Sequence, residues 1–290
     1  MAENEIQEKQ TSRVKLYAVA LIYTFSIGFS FLAIKKCVPY ADSLTILAYR
    51  YDFALLGVLV WFGVCRLLGK RREAPKDRPK SKLYLTAGFY IGFMILQITA
   101  MFFATSVEGA IVFAVVPIFA KIIARIFLGE RSTVLQNVFV VVTVSALIVL
   151  IVLEATSLTM SLTGIIIMLA ASISMAISNV FMRYVRGTFQ PIEITRTIAI
   201  GGFILFNAIV WIRAIMRHDV RGLLEPVTHP QFLIAIAFLG IFCILLSAQF
   251  MAYMLAHMEI VQSTIFGNAS TAISILAGAI LLGEPLTVYH

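Results

Sequence analysis

Long apolar stretches alternate with short polar loops along almost the whole chain. They fall at roughly 16–35, 43–65, 83–103, 107–128, 134–153, 163–185, 192–213, 231–253 and 260–282. A helix needs about 20 residues to cross a hydrocarbon layer, and each stretch is close to that length. The pattern therefore predicts an all-α integral membrane protein with nine spanning helices, preceded by a polar tail at 1–15.

Composition supports lipid as the solvent for most of the chain. Hydrophobic residues make up 60% of the 290 residues and charged residues only 13%, which is more apolar surface than one soluble core needs. The net charge of +8 collects in the loops, where basic residues act as topology signals. We therefore exclude nucleic acid as a partner and expect the lipid bilayer instead.

Lys and Arg near the span ends predict the orientation. Most lie in the N-terminal tail and in loops on its side, above all the loop 66–82, whereas the opposite side carries Lys35, Lys36, Arg213, Arg217 and Arg221. Basic loops stay in the cytoplasm, so we predict a cytoplasmic N-terminus. The tail shows no signal-peptide cleavage pattern, and the compact chain indicates a bacterial cytoplasmic (inner) membrane.

A duplicated motif divides the chain into two repeats. The segment 127–133, FLGERST, aligns with the segment 281–287, LLGEPLT, at an offset of 154, and Arg50 pairs with Arg196 at a slightly shorter offset. We predict a first repeat at 16–155, with helices 1 to 5, and a second at 160–290, with helices 6 to 9. An odd number of helices per repeat inverts the topology of the second copy.

The second repeat is one helix shorter than the first. After Glu130 the first repeat supplies a fifth span at 134–153, whereas after Glu284 the sequence stops at His290. We therefore expect a tenth helix to be missing from this chain. Either the sequence ends early or the protein is an atypical nine-helix form, and the first interpretation is favoured because a nine-helix form leaves packing faces without a partner.

Several motifs occur together, in order and partly duplicated. They are the segment 31–35 (FLAIK), Arg50, the turn from Ala100 to Ser106, Pro117, Leu128-Gly129-Glu130, and the repeated Leu282-Gly283-Glu284. In this combination the chain resembles the EamA-type ten-helix exporters of the drug/metabolite transporter superfamily. The resemblance implies alternating access around a cavity lined chiefly by helices 1, 3, 4, 6, 8 and 9. Thr271 stands where the family often repeats the proline of Pro117, so helix 9 is expected to be less kinked.

A central cavity needs polar groups that lipid would not tolerate. The candidates for the substrate cavity are Tyr23, Gln97, Phe102, Lys121, Asn179, Gln249, Gln262 and Asn268. For Lys121, binding an anionic substrate group and snorkelling to the interface are equally favoured. Each amide alone is explained by interhelical hydrogen bonding, and each aromatic by packing, but their concentration on a few helices favours one shared site.

Two carboxylates are candidates for proton coupling or gating. These are Asp52 and Glu108, although Glu108 also fits a simple role at a helix N-terminus, which we favour. The repeated motif residues Gly129, Glu130, Gly283 and Glu284 fit turns at helix ends, and Pro117 fits a kink. We interpret Arg50 and Arg196 as interhelical or headgroup anchors rather than substrate contacts.

Small residues recur at four-residue spacing on helix 6, at Ala170, Ser174 and Ser178, which predicts close approach to a neighbouring helix. The four histidines form no metal-binding motif and no serine lies in a nucleophile elbow, so we expect no enzyme, no metal and no cofactor.

The sequence thus predicts a secondary transporter that exports amino acids, related metabolites or drug-like compounds. The alternative is a facilitator, exchanger or importer of nucleotide-like or other anionic metabolites, and a further alternative is a membrane receptor or assembly protein. The partners are a small-molecule substrate, lipid, and a proton or counter-substrate, with a homodimer left open.

Overall fold

A computed structural model describes residues 2–68, 78, 80–128, 142, 145, 161–257 and 260–283. Its described residues form helices and loops without strands, which confirms the all-α prediction. Seven helical segments in this part of the chain are long and apolar enough to cross a membrane, and the shorter apolar segment Ala269–Leu282 follows them. The predicted span 134–153 lies outside the described residues apart from two positions.

In the described part of the chain the apolar spans follow the predicted ones to within a few residues, whereas the first helix begins at Ala2, within the predicted polar tail. Numbered in chain order, the helices are α1 (Ala2–Gly28), α2 (Ser30–Cys37), α3 (Ser43–Leu67), α4 (Ser81–Ala100), α5 (Ser106–Phe113), α6 (Val116–Leu128), α7 (Leu162–Val185), α8 (Pro191–Met216), α9 (Val220–Leu224), α10 (Pro230–Ala237), α11 (Ser247–His257) and α12 (Ile260–Leu282). A 3₁₀ turn, Glu225–Thr228, precedes α10, and a π-helical segment, Phe238–Leu246, joins α10 to α11.

Local sequence signals explain where these helices begin. Asp42 accepts a hydrogen bond from the Thr45 N–H at the start of α3, and the Ser161 hydroxyl accepts one from the Gly164 N–H at the start of α7. Pro191 occupies the first turn of α8, where its missing N–H has no consequence. These short polar residues satisfy N–H groups that no preceding turn can satisfy.

Two spans are interrupted within the bundle. The fourth span breaks at Ala114 and Val115, just before Pro117, because proline has no N–H to continue the ladder. The eighth span changes to π-helical geometry between α10 and α11. Such irregular turns in long helices are frequent at functional sites.

The spans assemble into two bundles that each mix helices from both halves of the sequence. In the first bundle, α4 packs on α7, which also contacts α5 and α6; in the second, α1 packs on α12 and on α11. The two bundles are built in the same way. The third span of the first repeat packs on the sixth span, which opens the second repeat; the eighth span of the second repeat packs on the first span, which opens the first repeat. A two-fold relation between inverted repeats predicts this pairing.

The small-residue stripe of α7 brings the first bundle together, as the sequence predicts. The Ser174 hydroxyl donates a hydrogen bond of 2.8 Å to the Phe89 carbonyl oxygen, and the Ser178 hydroxyl donates one of 3.1 Å to the Thr86 carbonyl oxygen. Both acceptors belong to α4. Side chains this small allow the two backbones to approach closely, which larger residues would prevent.

We call the end of the protein at which the span Val14–Cys37 begins the N-terminal face, and the opposite end the far face. At the N-terminal face Arg78 forms an ion pair of 2.8 Å with Glu193 and packs on the Phe189 ring. At the far face Arg213 forms an ion pair with Asp42. Each pair joins a loop beside one span to another span, and so fastens helices of the two halves together.

Candidate functional site

The most unusual group in the protein is the guanidinium of Arg50, two turns into α3. Arg50 is only 2% exposed and belongs to the buried face of its helix, with Ile46, Leu47 and Ala54. Its Nε and Nη1 atoms have no hydrogen-bond partner in the described part of the chain. A buried charged group with unused donors is costly, so it marks a site that needs an explanation.

Hydroxyl and thiol groups lie within electrostatic range of this guanidinium. Tyr51, Tyr90, Cys37 and Cys243 all interact electrostatically with Arg50, and they belong to four different spans. We call these five residues the Arg50 cluster. Tyr51, Tyr90 and the two thiols were not among the predicted site residues, since nothing in their spacing along the chain shows that they meet.

Tyr23, a predicted cavity residue, lies beside this cluster. It interacts electrostatically with Tyr90 across the space between the first and third spans. Tyr51 stacks on Phe206 at a centroid distance of 5.3 Å, and its hydroxyl has no partner among the described residues. The Gly202 backbone of α8 lies directly against the Tyr51 ring, where a larger residue would collide with it.

An aromatic layer connects the cluster to the fourth span. Tyr90 packs edge-on against Phe93 at 5.7 Å, Phe93 stacks on Phe113 at 5.5 Å, and Phe113 meets Phe31 edge-on at 5.7 Å. These centroid distances are typical of favourable aromatic pairs. The layer joins the first, third and fourth spans, and it provides apolar walls next to a polar cluster.

Two of the predicted cavity residues are glutamines, and each has one buried side-chain amide atom without a hydrogen-bond partner in the described part of the chain. Gln97 is 4% exposed and its Oε1 accepts no hydrogen bond, while the Nε2 of the half-buried Gln249 donates none within the described residues. The segment 97–104 has the pattern Gln-x-x-Ala-x-x-x-Ala, and the segment 249–256 repeats it. Gln97 lies near the far face and Gln249 in the half nearer the N-terminal face. Equivalent residues of inverted repeats are expected at such mirrored depths.

The ninth span adds one more polar atom of this kind. The Ser274 hydroxyl on α12 is buried and has no hydrogen-bond partner in the described part of the chain. Nearby on the same helix, Ser270 donates to the Gly267 carbonyl oxygen and is satisfied locally. The hydroxyl of Thr24 on α1 lies 3.3 Å from the carbonyl oxygen of Phe266, which fastens α1 to α12.

The two candidate carboxylates each have a hydrogen-bond partner. Asp52 accepts a hydrogen bond of 2.6 Å from the Asn207 side chain, between α3 and α8. Glu108 forms a capping box with Thr105, in which its Oε2 accepts from the Thr105 N–H at 2.7 Å. The Glu108 geometry is that of the helix N-terminus alternative.

Arg50 and Arg196, the predicted repeat partners, lie in different surroundings. Arg196 is exposed, and its guanidinium lies 5.5 Å from the Phe62 ring centroid, whereas Arg50 is buried in the core. Counted from the first residues of α3 and α8, the two arginines lie two positions apart, which is within the range over which helix boundaries vary. Their equivalence in the two repeats stays a prediction.

The remaining predicted residues are spread more widely. Lys121 on α6 and Asn179 on α7 are partly buried, and Phe102 is 38% exposed in the turn before α5. Gly283 follows the last turn of α12 with φ +66°, so this copy of the Leu-Gly-Glu motif ends a helix through a left-handed glycine. Gly129, Glu130 and Glu284, and the side chains of Pro117, Gln262 and Asn268, lie outside the described residues.

Within the described ranges, no group of three His, Cys, Asp or Glu side chains lies close enough to hold a metal ion. The site is thus described by organic groups alone: one guanidinium, hydroxyls, thiols, amides and aromatic rings. Such a set can bind a small amphipathic molecule through a few placed polar contacts and apolar walls.

Comparisons with known proteins agree with this arrangement. The sequence profile of the EamA-like transporter family matches residues 14–152 and, a second time, residues 162–290. An uncharacterized transporter of Bacillus subtilis, YcxC, is 30% identical over 281 residues, which cover 94% of this chain and 87% of that protein. An uncharacterized transporter of Archaeoglobus fulgidus is 28% identical over 274 residues, covering 94% of this chain and 92% of that protein.

A solved structure, titled only as the crystal structure of a protein, has a similar fold. It superimposes with a TM-score of 0.64 at 14% sequence identity, over 95% of this chain and 91% of that chain. At this identity the likeness concerns the fold alone.

Proposed function

The chain belongs to the EamA-like transporter family and is a multi-pass membrane transporter, and from this premise we propose that it exports amino acids, related metabolites or drug-like compounds by alternating access. The cytoplasmic membrane, with the N-terminus inside, is the location that we propose. The driving force would be a proton gradient or exchange for a counter-substrate. A homodimer stays a prediction.

The observation that carries the proposal is where the two bundles touch. At the far face, α5 of the first bundle packs against α12 and α2 of the second. Among the described residues, no comparable contact joins α6 to α12 toward the N-terminal face. In the described part of the chain the bundles thus touch at the far face, and this contact supports, within our proposal, a site that opens toward the N-terminal face.

The proposed orientation determines to which side of the membrane the site would open. With the N-terminus in the cytoplasm, the proposed opening faces inward, and the Arg50 cluster and the aromatic layer lie nearer the far face. Transport would require the bundles to rock until the contacts of α5 open and the other end closes. The break before Pro117 and the π-helical segment Phe238–Leu246 supply irregular turns at which the fourth and eighth spans can bend.

A second candidate function is exchange or import of anionic metabolites. The buried guanidinium of Arg50 favours it, because an unpaired positive charge attracts a negatively charged group. Both candidates use the same fold and the same cavity, so they differ only in substrate class and direction.

Counterflow in proteoliposomes tests the proposal. Vesicles loaded with unlabelled amino acids and metabolites in separate pools should accumulate external label from the pool that contains a substrate, above the level in protein-free vesicles. An imposed pH gradient should change the rate if protons drive transport. Absence of counterflow in every pool, from protein shown to be folded, would favour the receptor or assembly role instead.

A further inference from the structure

The positive charge of Arg50 is not paired with any negative group in the described part of the chain. It is 2% exposed, and neither Nε nor Nη1 has a hydrogen-bond partner in this part of the chain. Arginine stays protonated at any physiological pH. A buried, unpaired guanidinium is strongly unfavourable unless a negative group joins it.

The nearby acidic side chains already have partners. Asp42 pairs with Arg213, Asp52 accepts from Asn207, and Glu108 caps its own helix. The groups that interact with Arg50 are instead tyrosine hydroxyls and cysteine thiols, which carry no negative charge at neutral pH. No described carboxylate pairs with Arg50, so the charge is available to a ligand.

The surroundings define what such a ligand looks like. Arg50 lies seven residues into α3 from the far face, roughly 10 Å deep in the bundle at 1.5 Å per residue. Tyr51 and Tyr90 are its neighbours, and the Phe93 and Phe113 rings continue from Tyr90. A positive group beside aromatic walls matches a small molecule with one anionic end and an apolar body.

We propose that Arg50 binds the carboxylate of the transported substrate, and that the substrates are therefore organic carboxylates with an apolar body, such as hydrophobic amino acids or monocarboxylates. This inference rests on the proposed transport function. The substrate completes a charge pair that the protein alone lacks, with the unpaired Tyr51 hydroxyl beside it.

The test measures thermal unfolding of the purified protein by tryptophan fluorescence, with matched ligands. The carboxylates are benzoate, L-leucine and L-phenylalanine, and their neutralised partners are benzamide, L-leucinamide and L-phenylalaninamide; phenyl phosphate is the phosphate probe. We expect at least one carboxylate, and not its amide, to raise the unfolding temperature of the wild type. Arg50→Met should weaken that carboxylate about 10- to 100-fold, since a hydrogen bond to a charged group is lost.

The stability of the variants separates binding from a structural role. Replacing an unpaired buried charge by an apolar side chain is expected to leave the ligand-free unfolding temperature unchanged or raised. Arg50→Lys retains a cation and should retain part of the carboxylate effect. The exposed Arg196→Met is the matched control and should bind as the wild type does.

The inference is overturned if a carboxylate raises the unfolding temperature of Arg50→Met as much as that of the wild type. It is also overturned if no carboxylate raises the unfolding temperature of the wild type, or if only phenyl phosphate does. A large loss of ligand-free stability in Arg50→Met that Arg50→Lys restores would likewise overturn it, because it would indicate a structural role. Counterflow separates this failure from failure of the proposed function. A neutral or cationic substrate that moves equally in wild type and Arg50→Met refutes the carboxylate site but leaves a transporter, whereas no counterflow of any compound refutes transport itself.

Discussion

At the residue scale, Asp42 performs two tasks at the far face. Its carboxylate caps α3 by accepting from the Thr45 N–H, and it forms an ion pair with Arg213 at the end of α8. Burial works against ionisation of Asp42, but the hydrogen bonds from Arg213 and Thr45 outweigh it, so the pKa of this carboxyl lies below its ordinary value. Ionisation of Asp42 thus stabilises the folded state.

We predict that Asp42→Asn lowers stability modestly at neutral pH. Asparagine retains an oxygen that can cap α3, so the loss is that of a half-exposed ion pair, about 1 kcal/mol or less, or roughly 1–3 °C in unfolding temperature. Since a lowered pKa stabilises above the unfolded value and is lost as the pH falls through the folded one, the difference should begin to shrink below about pH 4 and vanish only below the folded pKa. Unfolding scans of both proteins at pH 7 and pH 3 measure it. An equal difference at both pH values would show that the ion pair is not its cause.

At the element scale, the π-helical segment of the eighth span lies in close contact with α3. Gly240 is its contact point: a Cβ built there would lie 2.6 Å from the Arg50 carbonyl oxygen and 2.6 Å from the Phe53 Cβ. Both are nearer than real Cβ atoms approach, and one is backbone. Glycine at this position therefore allows the eighth span to approach the helix that carries Arg50.

Gly240→Ala should destabilise the protein by about 1–3 kcal/mol, the usual range for overpacking, because the backbone of α3 must move. Gly88→Ala is the matched control: a Cβ at Gly88 meets no atom within 4 Å, so this variant should be neutral or slightly stabilised by better helix propensity. Thermal unfolding in detergent, followed by tryptophan fluorescence, compares the two. Equal behaviour of both variants would contradict the close approach.

At the scale of the whole molecule, alternating access requires the far face to open. There Gly109 on α5 faces Phe31 on α2, with a built Cβ 3.2 Å from the Phe31 Cδ1 atom, and these residues belong to different bundles. The three cysteines, Cys37, Cys65 and Cys243, form no disulfides. A background free of thiols requires replacing all three, and because Cys37 and Cys243 belong to the Arg50 cluster, counterflow of this background is measured first as the reference.

In that background, Gly109→Cys combined with Phe31→Cys should form a cross-link that stops counterflow, and reduction should restore it, because the bundles could no longer separate at this end. Gly92→Cys with Ser174→Cys provides the control, since the built Gly92 Cβ lies 3.5 Å from the Ser174 Oγ within one bundle. Cross-linking the control pair should leave transport intact. Continued counterflow with the first pair fully cross-linked would rule out opening between α5 and α2.

The lengths of the apolar stretches were sufficient to predict the spans that lie in the described residues, but not the site. Gln97 and Gln249 were recognisable as intramembrane amides, and their shared Gln-x-x-Ala-x-x-x-Ala pattern was a usable signal of equivalent positions. The pairing of Arg50 with Arg196 relied on matching residue types and stays a prediction. Matching types could not show that Arg50 is buried whereas Arg196 is exposed, because burial depends on how the helices pack.

What the sequence by itself determined is where the chain crosses the membrane, because span length and apolar character depend only on local composition and the thickness of the hydrocarbon layer. Caps, breaks and the small-residue stripe of α7 are likewise local. Only the tertiary structure decided which polar groups remain unpaired: Asp52 meets Asn207, 155 positions away, while Arg50 meets no carboxylate in the described chain. Partners so distant in sequence are set by how the bundles pack.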